Sequence, residues 1–386
     1  MTAAGEAPAG PRGEMPHLSL RDRLAGVRDR WLTDPSFIAR AGGTLLGRVI
    51  ARHEARALFD VTAGFVYAQV LQAALRLRLL ETLREQPLDV AALARRLDLP
   101  ERSTELLLIA AEPLKLVERR SAERWGLGRR GAAVLGNPGI AAIVRHHALL
   151  YGELADSVAL LRRGAGTDMR AFWPYAGSEA PDRIGAESVG EYSRLMAASQ
   201  HFIAANVLDA YDFGRHRHLV DVGGGEGVFA LAAAARHPAL TITVFDLPPV
   251  AALAGERFAG ASASARLRAA GGDFRAGPLP QGADAMSLVR ILHDHDDDAA
   301  LAILKNVARA LPPGGTVVVA EPMAGSPAAP GIAAYFAFYL LAMGSGRPRT
   351  AKEITHLLAA AGFSATRCLA ERNPVAASVI TATVDK

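Results

Sequence analysis

An apolar run, Leu219-Val220-Asp221-Val222, leads straight into Gly223-Gly224-Gly225-Glu226-Gly227 and then into the helix-forming stretch FALAAAAR. Few folds accommodate that order. Glycines let backbone turn sharply and approach a ligand closely, and a helix start behind them adds free N–H donors and the positive end of a dipole. About 20 residues on, Asp246 ends the next apolar run, TITVFD, where a carboxylate can accept the two hydroxyls of a ribose. Apolar strands and amphipathic helices then keep alternating, through AALAGERFA, AMSLVRIL, AALAILKNVARAL and GTVVVAE. The pattern predicts an α/β domain over residues 216–386, with a Rossmann-like, doubly wound parallel sheet.

The loop also narrows the ligand. A dinucleotide fingerprint, G-x-G-x-x-G, would place its last glycine where Val228 stands. The chain instead reads G-x-G-x-G with Glu226 inside it, and Asp221 stands just before the glycines. Acids repel a pyrophosphate but suit a ligand that carries a sulfonium and an ammonium, so the expected cofactor is S-adenosylmethionine. Gly272-Asp273-Phe274 follows a third strand, where Asp273 can accept the adenine amino group and Phe274 can stack on the ring. Read alone, such an Asp is more often a turn residue.

Further on, SLVRIL runs into His293-Asp294-His295-Asp296-Asp297-Asp298. A histidine at the carboxyl end of a sheet strand stands where α/β sites are built. A neutral imidazole, with a reference pKa of about 6.5, can take the proton of a hydroxyl as that oxygen is alkylated. The acidic run invites a metal reading as well. Asp296, Asp297 and Asp298 lie directly before a helix, however, and capping with dipole complementation explains them, so no metal is expected.

The remaining chain is less specific. Half the residues are apolar and 21% are charged, a globular composition. A net charge of +4 over 386 residues makes no strong field, and no nucleic-acid partner is expected. A single cysteine, Cys368, excludes a disulfide framework and a Cys-rich zinc site. Residues 1–16 read as a flexible tail without the apolar core of a signal peptide, and the apolar run at 332–343 is too short to span a bilayer. A soluble, cytoplasmic chain is the expectation. Residues 17–150 read as mainly helical; within them 61–75 is apolar all round and should be buried in a core or against another subunit. Leu88 and Asp89 open a short helix, Leu99 and Pro100 turn the chain, Ser103 caps a second helix, and residues 116–120 with 124–127 form a hairpin. That is a winged-helix order. Such an order also suits a DNA-binding regulator, but the second helix offers Glu101 and Glu105 against Arg102 and is otherwise apolar. A reading helix needs a basic or amide-rich face. Residues 151–215 form a helical connector.

The motifs VDVGGGEG, VFDLP, GGDF, RILHDHDDD, LPPGGTVVVAE and GSGRPRTAKEITHLLAAAGF, in that order, resemble the S-adenosylmethionine-dependent O-methyltransferases that carry a helical dimerisation domain. Within that class FWPYAG, YSRLMAASQ and YLLAMGSGRPRT are most similar to the bacterial branch that methylates the 1-hydroxyl of acyclic carotenoids. The resemblance implies a homodimer, with residues 17–150 as its dimerisation domain. It puts Gly223 and Gly225 at the methionine part of the cofactor, Asp246 and Leu247 at the ribose, Asp273 and Phe274 at the adenine, and Arg290 on the cofactor. His293 would be the base and Glu321 the acid that orients it. The family's second acid falls on Pro348, which leaves the imidazole with one carboxylate. Phe172, Trp173, Met196, Phe336, Tyr339 and Met343 would line an apolar slot, and a lipid-borne substrate implies peripheral membrane association. Rival readings keep methyl transfer but change the acceptor to a phenolic polyketide or a carbon of a bacteriochlorophyll precursor, or keep cofactor binding without turnover.

Overall fold

The computed structural model describes residues 19–172, 186–326, 329–370 and 377–385, the side chains of 186–195 excepted. The chain divides into two compact units, Met1–Val70 and Leu71–Lys386.

The first unit is helical: Leu20–Leu32, Pro35–Gly42 and most of the long helix Leu45–Arg76. Ser19 and Asp22 form a capping box at the first, and Asp34 caps the second ahead of Pro35. The long helix narrows one expectation to its second alternative. Burial is reached only near its end, at Gln72, Ala74 and Leu75, whereas Val61 is 83% and Phe65 73% exposed in the single protomer. A core within the chain therefore does not absorb residues 61–66, and an exposed apolar face of that kind marks a contact surface.

The second unit opens with the winged-helix order. Helices Val90–Leu97 and Glu101–Ala111 precede an antiparallel hairpin of β1 (Val117–Arg119) and β2 (Trp125–Leu127). Leu88 exchanges both backbone hydrogen bonds with Trp125, at 2.9 and 2.7 Å, tying the hairpin to the first helix. Ser103 is not a cap. Pro100 occupies that position with extended backbone, and Glu101 supplies the acid of the first turn. Helices Pro138–Leu154, Ser157–Arg163, Asp168–Phe172 and Ala186–Ala210 follow.

A seven-stranded sheet fills the rest: β3 (His218–Val222), β4 (Thr241–Asp246), β5 (Leu267–Gly271), β6 (Ala285–Val289), β7 (Thr316–Glu321), β8 (Phe363–Cys368) and β9 (Ser378–Val384). Their spatial order is β5-β4-β3-β6-β7-β9-β8, parallel through β7, with β9 antiparallel to both of its neighbours. Alternate residues feed two apolar layers. Val318 and Ala320 pack with Phe213 and Phe229 on one face, and Val317 and Val319 with Ile303 and Leu304 on the other. Burial on both faces is why these strands read as continuous apolar runs. The strand order reverses between β3 and β6, so the carboxyl ends of β3, β4, β6 and β7 converge at a topological switch point.

Candidate active site

The glycine loop is built for close approach. Gly223 has φ 68°, and a Cβ there would lie 2.3 Å from Ile291 Cδ1. Gly225, at φ 58°, would meet nothing within 4 Å, because it faces an open cleft. Its N–H donates to Asp246 Oδ2 at 2.8 Å, and the Leu247 N–H donates to Oδ1 at 2.7 Å. The Asp246 carboxylate is thus pre-oriented at the cleft, with lone pairs left for a ligand. Burial pushes its pKa up to about 6 against the pull of the two N–H donors. Glu226 lines the cleft and pairs closely with Arg257. Asp221 is placed differently from the glycines it precedes. It lies buried beneath the loop rather than in the cleft wall, accepts from Ser287 Oγ at 2.6 Å, and burial raises its pKa to about 7.

The cleft encloses about 1100 Å³, part of it open to solvent. Asp273 and Phe274 form another part of its wall. Asp273 is gripped by Arg275, whose Nε and Nη2 donate to Oδ1 and Oδ2 at 3.1 and 3.0 Å, and Asn306 holds the Phe274 carbonyl at 3.0 Å. Arg290 adopts a left-handed φ of 60°, unusual for a non-glycine residue, which turns the chain off β6. Its Nη1 donates to Ser199 Oγ at 2.9 Å and its Nη2 contacts Met196 Sδ at 3.3 Å, both on helix Ala186–Ala210. Four carboxylates, Glu226, Asp246, Asp273 and Asp294, stand in this wall against the guanidinium groups of Arg275 and Arg290. Such a wall suits a nucleoside with a cationic tail better than a polyphosphate.

His293 sits beside the cleft on a single 3₁₀ turn, Leu292–Asp294, directly after β6. It is 5% exposed. Glu321, the last residue of β7, places Oε2 2.5 Å from His293 Nδ1, while its Oε1 accepts the N–H groups of Ile291 and Leu292 at 2.9 and 2.6 Å. One buried carboxylate therefore fixes both the ring and the backbone that carries it. On the opposite side Asp294 Oδ1 lies 3.0 Å from Nε2. Burial works against protonation of the ring, but Asp294 and Glu321 outweigh it and raise its pKa to about 9. The expectation of a single carboxylate beside the imidazole is thus corrected. Pro348 contributes none, yet Asp294 supplies a second on the face turned to the cleft.

Of the residues expected to line an apolar slot, Met196 is in the cleft wall. Phe336 meets the His293 ring edge-on, with centroids 5.4 Å apart. Rings continue outward from it. Tyr335 lies 5.0 Å from Phe336 and stacks on Tyr339 at 5.6 Å; Tyr339 meets His146 at 6.0 Å, and His146 meets Phe172 at 4.7 Å. Burial lowers the His146 pKa to about 4, so that ring is neutral, and its Nε2 lies 3.1 Å from the Tyr339 hydroxyl. Tyr339 and Met343 pack with Leu150, Leu160 and Met169 and serve as helix-packing core. Trp173 lies outside the described residues.

Three arrangements escaped sequence reading. Asp294 on Nε2 is one. The second is the fate of the acidic run: Asp296 makes no side-chain cap but accepts the Gly346 N–H at 3.0 Å, and Asp297 holds Arg347 and Arg349 at 3.0 and 2.9 Å. The third is the segment around Arg349, whose only sequence signal is the cluster of glycine and arginine in GSGRPR.

A switch-point cleft with a glycine loop, a strand-tip acid and an adjacent imidazole–carboxylate pair defines a nucleoside-dependent transferase of the doubly wound class. Residues 153–364 match the O-methyltransferase domain family, and residues 59–136 match the O-methyltransferase dimerisation domain. The chain belongs to this O-methyltransferase family and pairs as a homodimer through that domain. It is 43% identical to the demethylspheroidene O-methyltransferase of Cereibacter sphaeroides, over 87% of this chain and 88% of that protein. With the enzyme of the same name from Rhodobacter capsulatus it shares 42%, over 88% and 84%. Among solved structures, human N-acetylserotonin methyltransferase in complex with S-adenosylmethionine superposes with a TM-score of 0.71 at 26% identity, covering 86% of this chain and 98% of that one.

Proposed function

We propose that this chain transfers the methyl group of S-adenosylmethionine to the tertiary 1-hydroxyl of an acyclic carotenoid, with His293 as general base. The acceptor rests on one observation, the 43% identity to a demethylspheroidene O-methyltransferase over nearly all of both chains. Phe336, edge-on to His293, and the partly exposed Tyr335 beside it support it, since a polyene offers almost nothing to hydrogen-bond and needs an apolar, uncharged wall.

S-adenosylmethionine supplies an electrophilic methyl carbon on a sulfonium. Asp246 accepts the ribose hydroxyls, Asp273 and Phe274 frame the adenine, and Gly223 and Gly225 leave backbone space for the methionine part. His293 Nε2 takes the hydroxyl proton as the C–O bond forms and the C–S bond breaks, giving a methyl ether and S-adenosylhomocysteine. Glu321 keeps the proton on Nδ1 and stabilises the imidazolium that results. For this step the substrate hydroxyl displaces Asp294 from Nε2.

A polyene resides in lipid, which supports peripheral attachment to the cytoplasmic face of a membrane. Ahead of the dimerisation match, helix Leu45–Arg76 exposes Leu46 and Ile50 and carries Arg48, Arg52 and Arg56, a composition suited to an anionic lipid surface. Co-flotation of the dimer with anionic but not neutral vesicles is expected; absence from both would remove the membrane claim. The acceptor is tested with labelled S-adenosylmethionine, a 1-hydroxylated acyclic carotenoid in detergent and a small phenol beside it. Label in the carotenoid is expected. Label in the phenol alone would leave the family and discard the acceptor.

A further inference from the structure

Four consecutive backbone carbonyls, those of Leu292, His293, Asp294 and His295, accept hydrogen bonds from one short segment, residues 345–349. Arg349 Nη1 donates to the Leu292 carbonyl at 2.5 Å, and its Nη2 donates to that of His295 at 2.7 Å. The Arg347 N–H takes the His293 carbonyl at 3.0 Å, and Ser345 Oγ takes that of Asp294 at 2.5 Å. Arg349 is 2% exposed, and its Nε closes on Asp297 Oδ1 at 2.9 Å. Gly346 has φ 76°, and a Cβ there would lie 2.1 Å from the His293 carbonyl oxygen, so only glycine permits this approach.

A single 3₁₀ turn is weakly held by its own hydrogen bonds, which here are long: Asp294 N–H to Ile291 at 3.2 Å and His295 N–H to Leu292 at 3.3 Å. Glu321 secures the N–H side of this turn through Ile291 and Leu292. Beyond these long bonds, the donors to the carbonyl side among the described residues come from residues 345–349. The guanidinium spans the turn because its donors form a rigid planar fork, a geometry that a lysine ammonium does not reproduce.

We propose that Arg349, together with Ser345, is a positioning residue that clasps the turn bearing His293 and so fixes the imidazole against Glu321 and the cleft. Arg349 stands outside the cleft wall, whereas Ser345 is part of it. The inference rests on the reading of His293 as the base, and it predicts that releasing the clasp disorients the ring while leaving the cofactor pocket intact.

The test uses the full-length dimer with Arg349→Lys and Ser345→Ala. Wild type run in parallel with the same acceptor guards the underlying reading: if wild type itself transfers no methyl, that reading fails, whereas the clasp is judged on the variants' imidazole spectra. Arg349→Lys is expected to bind S-adenosylmethionine within about twofold of wild type and to lose about 100-fold in kcat, the loss typical of a displaced catalytic group. The ¹⁵N titration of His293, which needs no acceptor, should fall from its raised pKa towards the ordinary imidazole value as the ring leaves its two carboxylates. If Arg349→Lys does not fold, Ser345→Ala decides, with a smaller loss of kcat and a shift in the same direction. A folded variant with wild-type kcat and an unmoved His293 titration would overturn the proposal.

Discussion

Glu321 Oε2 lies 2.5 Å from His293 Nδ1, while its other oxygen binds the N–H groups of Ile291 and Leu292, so one side chain sets both the tautomer and the seat of the proposed base. Glu321→Gln is close in shape but cannot stabilise an imidazolium. It is expected to lower kcat by about 10²–10⁴-fold, as when the acid behind a catalytic histidine is neutralised. Isothermal titration should find cofactor affinity unchanged; an unaltered kcat would remove Glu321 from the mechanism.

The pH dependence follows from the carboxylates on both imidazole nitrogens. His293 is raised to about 9, so in the free enzyme the ring is mostly protonated at neutral pH and works as a base only as pH rises through that value. A log kcat/KM profile should climb with unit slope and bend near pH 9. Asp294→Asn removes one of the raising charges and should move the bend to lower pH. A wild-type bend at the ordinary imidazole value would contradict the two-carboxylate arrangement.

Cofactor affinity should depend on Asp246 in the opposite pH range. Its carboxyl is raised to about 6, so the charged acceptor is present above that pH and is lost below it. The Kd for S-adenosylmethionine is expected to rise as pH falls from 7 to 5. Asp246→Ala should weaken binding by about 10-fold or more at pH 7, the scale of a lost hydrogen bond to a charged group, and by less below pH 6. Equal affinity in wild type and variant would discredit the ribose role.

Gly227 bears a packing constraint. It has φ 77°, and a Cβ would lie 2.4 Å from the Phe258 ring. Gly227→Ala is expected to cost about 1–3 kcal/mol in urea unfolding, since overpacking and left-handed strain act together. A midpoint equal to that of wild type would show that the ring moves aside freely.

The legible parts of this chain were those set by local chemistry. The sheet could be read because its strands are buried on both faces and carry continuous apolar runs, and the glycine loop because Gly223 and Gly225 adopt conformations that favour glycine. The places of Asp246, Asp273 and Phe274 in the cleft wall, and of His293 beside it, are legible from their position after strand ends. What stayed hidden depends on partners distant in sequence. The clasp of Arg349 on Leu292 and His295 spans more than 50 residues and leaves no periodicity. Asp221 looked like a cleft residue because it abuts the glycines, but strand alternation turns it towards Ser287. The Asp296–Asp298 run reads as a helix start and stands at one, with Asp297 and Asp298 in the first turn, but Asp296 makes no side-chain cap and nothing local reveals that Arg347 and Arg349 come to meet Asp297.

The most direct measurement is product formation from a 1-hydroxylated acyclic carotenoid by wild type and His293→Ala, with S-adenosylmethionine binding measured on both. Wild type is expected to yield the 1-methoxy carotenoid, and His293→Ala to bind the cofactor normally and yield none. Methoxy product from the variant at the wild-type rate would contradict His293 as the base, and no methoxy product from cofactor-bound wild type would contradict the carotenoid hydroxyl as the acceptor.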